Sequence, residues 1–106
     1  MSSVLLSAAT HGLLRTWATR TGRPTGDLVH DALEQVVADP ATAVLATELT
    51  PAPRGGWPLP VRTADRPLWG EARDALATVT ACRSLGSVVR GLVLLRLAED
   101  LGDTEL

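Results

Sequence analysis

Residues 14–33 read LRTWATRTGRPTGDLVHDAL, and their spacing predicts a helix, a tight turn and a second helix. Leu13, Leu14, Trp17 and Ala18 share one face at helical spacing. Thr21-Gly22 stops the first helix, because glycine adopts the left-handed conformation that closes a helix C-terminus. Pro24 suits a first helical turn, where its missing N–H costs nothing. Asp27 then stands near the positive end of the new helix dipole. Leu28, Val29, Ala32, Leu33, Val36 and Val37 form the apolar side, and Asp39-Pro40 ends the run.

Working outward, residues 2–8 alternate Ser3 and Ser7 against Val4, Leu6 and Ala8, a period of two that predicts a short strand. Thr10 is the expected N-cap of the first helix. Residues 41–49 predict a third, short helix with Val44, Leu45 and Leu49 as its apolar face. Residues 50–60 hold four prolines and two glycines and read as an extended linker. Leu59, Val61 and Thr63 alternate with Pro60 and Arg62 as a second strand, which Pro58 and Pro60 limit to one pairing edge. Residues 65–81 predict a further helix, with Leu68, Trp69, Ala72, Ala75, Leu76 and Val79 inward. Ser84 caps the last one, whose apolar positions run from Leu85 to Leu97 before Leu101-Gly102.

A shift of sixty positions superposes Arg23 on Arg83, Gly26 on Gly86, Val29 on Val89 and Leu33 on Val93. Strand, helix, turn and helix thus recur in the same order. A single unit of about forty residues cannot bury its own apolar faces. The expected organisation is a first unit over 1–39, a short helix and Pro/Gly linker over 40–57, and a second, degenerate unit over 58–102, intertwined as one domain.

This order, with the Thr21-Gly22-Arg23 turn, resembles the ribbon-helix-helix (Arc/MetJ-like) family of DNA-binding proteins, as a tandem copy on one chain. The resemblance implies a mainly α fold with a two-stranded antiparallel ribbon and four main helices about one core. The arrangement would be pseudo-twofold: a monomer imitating a dimer, or a dimer of such units. It also implies a sequence-specific transcriptional regulator, and an autoregulating antitoxin is one version, with double-stranded DNA and a toxin as partners. In such proteins the ribbon enters the major groove and helix N-termini grip phosphates. By position, the base-reading face is Ser3, Leu5, Ser7, Pro60 and Arg62. The phosphate contacts are Thr25 and Gly26 in one unit and Ser84, Gly86 and Ser87 in the other. An antitoxin role would use residues 41–56 to hold its partner.

The chain departs from the family at these positions. Leu5 and Pro60 cannot hydrogen-bond a base, so Arg62 alone reads as a base contact, with guanine its natural partner. The plainer alternatives are a solvated strand charge for Arg62 and simple helix caps for Thr25 and Ser84. Trp57 has no core face and is a candidate partner contact. The alternative function is therefore a protein-interaction module that reuses the fold without base readout.

Composition sets the remaining bounds. Hydrophobic residues are 45% of 106, with no Phe or Tyr, so Leu, Val and Ala must fill the core. Lys, Ile and Asn are absent, which fits a GC-rich bacterial genome and explains why all ten cations are Arg. A net charge of −2 argues against non-specific DNA binding. The lone Cys82 forms no internal disulfide, and no Cys/His set has metal-ligand spacing. No cofactor is expected, and no catalytic set: His11 and His30 read as surface residues, and Asp27, Asp31 and Glu34 as a solvated face. With no apolar run of about 18 residues and no basic leader, the cytoplasm is the expected compartment, with no membrane contact.

Overall fold

The structure, a computed structural model, describes residues 3–48, 57–81 and 84–102; the side chains of Ser3, Leu5, Thr47 and Trp57 are outside that description. The order is β1 (Ser3–Leu6), α1 (Ala8–Thr21), α2 (Gly26–Ala38), α3 (Pro40–Glu48), β2 (Trp57–Pro60), a 3-10 turn (Thr63–Asp65), α4 (Arg66–Ala77) and α5 (Leu85–Leu101).

The hairpin of α1 and α2 follows from its punctuation. Gly22 has φ 70°, and its N–H donates to the Ala18 carbonyl, closing α1. The cap at the other end is Ser7, not Thr10. The Ser7 hydroxyl accepts from the Thr10 amide at 3.2 Å, so the helix begins three residues earlier than expected. Asp39 ends α2 and starts α3, accepting from the Thr42 amide at 3.2 Å and the Thr42 hydroxyl at 2.7 Å. Pro40 then occupies the first position of α3, where it needs no donor.

The core is aliphatic, apart from Trp17. It runs from Val4 and Leu6 on β1 through Leu14 and Trp17, Leu28, Val29, Leu33 and Val36, to Ala72 and Leu76. Its centre is α5, which buries Leu85, Val88, Val89, Leu92, Val93, Leu97 and Leu101 and also encloses Arg90 and Gly91. Helix α5 meets β1, α1, α2, α3 and α4, while α4 packs chiefly on α2. The radius of gyration, 13.0 Å, is that of one packed unit of this length.

The expected fold class needs correction. The described residues form a mainly helical fold with five α-helices, not a pseudo-twofold set of four main helices built on a ribbon. Helix α3 belongs to the core assembly: Ala43 is fully buried where α3 lies along α5. The strands contribute one short contact, antiparallel, with Ser3 opposite Pro60, Val4 opposite Leu59, Leu5 opposite Pro58 and Leu6 opposite Trp57. Two of the four β2 residues are prolines without an N–H, so that contact is thinly hydrogen-bonded and does not organise the fold. The halves also differ around their helices. A 3-10 turn precedes α4, and α4 stops at Ala77, short of the expected Ala81. There the amides of Thr78 and Val79 turn back to Ala75 and Leu76, as suits a β-branched Thr-Val-Thr run that gains little from continuing the helix. The expected apolar face of α3 is likewise rotated. Ala43 points in and Leu45 is 64% exposed, while Leu49 lies outside the described residues.

Candidate functional site

Arg62 was the expected base reader, and the structure places it just beyond β2, folded back on the protein. Its Nε donates to Asp65 Oδ2 at 2.9 Å and its Nη1 to Asp27 Oδ1 at 3.0 Å. Its methylenes lie over the start of α2, where a Cβ on Gly26 would come within 2.8 Å of Arg62 Cδ. The guanidinium pKa is raised, chiefly by the bond to Asp65. Arg62 therefore ties the second half of the chain to the N-terminus of α2.

The other expected readers divide. Ser7 caps α1 and is no strand residue. Pro60 is exposed but has no donor to offer a base edge. Ser3 and Leu5 lie on β1, opposite Pro60 and Pro58, and their side chains fall outside the described ones, as does that of Trp57.

The expected phosphate contacts also divide. At α2 the Thr25 side chain makes no cap bond. The Asp27 and Leu28 amides are already turned onto the Pro24 and Thr25 carbonyls, at 3.0 and 3.1 Å. With Arg62 above Gly26 and a carboxylate at Asp27, this end of the helix is filled by the protein's own charges. At α5, Ser84 accepts from the Ser87 amide at 3.2 Å, and the two hydroxyls are 2.9 Å apart. Ser84 is exposed, and Gly86 and Ser87 are half-buried. The neighbouring Cys82-Arg83 lies outside the described residues.

The acidic positions read as solvated are instead paired. Arg23 spans Asp27 and Asp31, each at 3.1 Å, with its guanidinium 5.5 Å from the Trp17 ring centre. Arg96 reaches Asp31 at 3.7 Å and Asp100 at 2.8 Å, and Asp100 also accepts from the Trp17 indole. His30, expected as a surface helix residue, is 38% exposed on α2 and sits between Asp65 and Glu34. Asp65 is 4% exposed as a residue. Burial pushes its carboxyl up, but the bonds from His30 and Arg62 outweigh that and hold it below the usual carboxylate value. The line Glu34, His30, Asp65, Arg62, Asp27, Arg23, Asp31, Arg96, Asp100 thus runs unbroken across α2, the 3-10 turn and α5. The local half of this pattern was readable as i, i+4 spacing at Arg23/Asp27, His30/Glu34 and Arg96/Asp100. The links from His30 to Asp65 and from Asp27 to Arg62 were not, because each joins positions 35 apart.

A groove opens between α2, α3 and α5, with a volume of about 250 Å³. Leu28, Ala32 and Leu92 are buried at its base, Ala46 is half-buried and Leu95 is 38% exposed. Asp31, Gln35, Arg96 and Glu99 supply its polar lining. Among the described residues, no group of three His, Cys, Asp or Glu side chains is placed to hold a metal ion. Among those same residues, no helix is long and apolar enough to cross a membrane. Comparison with protein-family models, with curated proteins and with solved structures finds no match.

Proposed function

We propose that the chain is a small protein-interaction module of the cytoplasm, which takes an apolar anchor of a partner into the groove between α2, α3 and α5. The observation that carries this reading is the groove's make-up: an apolar base open at Leu95, set among charged and amide groups. That is the chemistry by which grooves select a hydrophobic side chain and orient it with polar contacts. Glu99 has no ion pair among the described residues and suits a basic residue beside the anchor. The groove includes Ala46, within the segment 41–56 expected to hold a toxin-like partner. Arg62, the expected base reader, is committed internally to Asp65 and Asp27.

The experiment is selection from a displayed random-peptide library, with Leu95→Glu as the control. Enriched peptides should share an apolar residue next to a basic one and lose binding to the variant. No enrichment, or peptides indifferent to Leu95→Glu, overturns the reading.

A second reading, the sequence-specific DNA-binding regulator, draws on two features of the other surface. The N-terminus of α5 exposes Ser84. Arg15 and His11 border a shallow cavity of about 500 Å³ beside Pro58. A salt-sensitive shift of the duplex upstream of the protein's own gene, weakened by Arg15→Ala, supports it. Absence of any shift at low salt removes it.

A further inference from the structure

His30 stands on α2 with an acidic oxygen at each ring nitrogen. Nδ1 is 2.9 Å from Asp65 Oδ1, and Nε2 is 2.6 Å from Glu34 Oε1. An ionised carboxylate only accepts hydrogen bonds, and a neutral imidazole has a single N–H. The Asp65 contact is a hydrogen bond and the Glu34 contact an ion-pair approach, so the two carboxylates together favour the imidazolium. We propose that His30 is a proton-operated clasp, which when protonated fastens the 3-10 turn after β2 onto α2 and when neutral lets that turn loosen.

The two arms are unequal. The Asp65 side chain is 6% exposed and lies on the turn that leads into α4, whereas Glu34 is 60% exposed on α2 itself. A neutral ring keeps one bond, and Glu34 is free to turn to water. The buried Asp65 carboxylate then keeps only Arg62 as a charged partner. The charges acting on His30 are Asp65 from the turn and Glu34 and Asp31 from α2, with Arg62 acting through Asp65. Helix α4, packed on α2, turns Ala72 and Leu76 inward. The His30 pKa is raised from its ordinary 6.5, first by the bond to Asp65, against the opposing effect of burial. A raised value means that stability is complete below pH 6.5 and is lost as pH rises through the folded-state value. The change falls above pH 6.5. The clasp is independent of what the groove binds.

The test follows the His30 imidazole nitrogens by NMR on the full chain from about pH 5 to about pH 9, together with amide exchange over residues 59–65. The expected results are three. His30 is doubly protonated at pH 6 and titrates above 6.5. Its midpoint falls in Asp65→Asn. Exchange over 59–65 rises with pH beyond its intrinsic trend in the wild type but not in His30→Gln. If Asp65→Asn does not fold, Glu34→Gln, on the solvent side, must still lower the midpoint. A wild-type midpoint at or below the ordinary value, or the same exchange profile in His30→Gln, overturns the clasp.

Discussion

Trp17 and Asp100, 83 residues apart, are joined by a hydrogen bond of 2.7 Å from the indole Nε1 to Asp100 Oδ2. Trp17 is fully buried, so its N–H has lost water and depends on that carboxylate. Asp100→Ala is expected to cost about 1–3 kcal/mol, the penalty of a stranded buried donor. Asp100→Asn, which keeps an acceptor, costs less. Urea midpoints on the two variants give the comparison. The Trp17 bond also holds the Asp100 carboxyl below its ordinary value of 3.8. This part of the stability is present above that value and drains away as pH falls through the lower folded-state one.

The glycines separate by conformation. Gly22 has φ 70° with open space around an added Cβ, so Gly22→Ala meets only backbone strain and is expected to destabilise by about 1 kcal/mol. Gly12 and Gly70 lie inside α1 and α4, also with open space. Alanine there should stabilise by up to about 1 kcal/mol. Thermal melts of the three variants should move in these opposite directions.

Helix α3 discriminates between its expected and observed faces. Ala43 is fully buried, so Ala43→Glu should prevent folding by forcing a charge into the core. Leu45 is 64% exposed, and Leu45→Glu should change stability by less than about 0.5 kcal/mol. Circular dichroism with denaturant decides it, and the reverse result would restore Leu45 to the core.

Gly26 and Arg62 should be coupled. With Arg62 in place, a Cβ at position 26 pushes its chain off Asp27 and Asp65, so Gly26→Ala destabilises. In an Arg62→Ala background the clash is gone, and the same change should stabilise through helix propensity. A double-mutant cycle reads the reversal of sign, with a coupling of about 1 kcal/mol.

Local chemistry was legible from the sequence. The hairpin in 14–33, the Gly22 stop, the Ser84 cap and the inward stripe of α5 all follow from neighbours within a turn or two. Errors arose where two local solutions compete, as at Ser7 and Thr10, whose hydroxyls stand 2.9 Å apart and either of which makes a good cap. They arose again where a distant partner decides. Alanine-rich α3 has no dominant apolar stripe, and its inward face is set by where α5 lies. Arg62 read as a reaching side chain because nothing nearby in sequence shows Asp27, 35 positions away, waiting for it. His30 and Asp65 are hidden for the same reason.

The central claim is that recognition belongs to the groove and not to the strand face. One titration tests it most directly: amide chemical shifts of the full chain on adding a selected groove peptide and, in a parallel sample, a DNA duplex at low salt. The expected result is peptide-induced change centred on Leu28, Ala46, Leu92 and Leu95, with the duplex leaving the spectrum unmoved. Duplex-induced change centred on residues 57–62 and 84–87, with the groove silent to peptide, would contradict it.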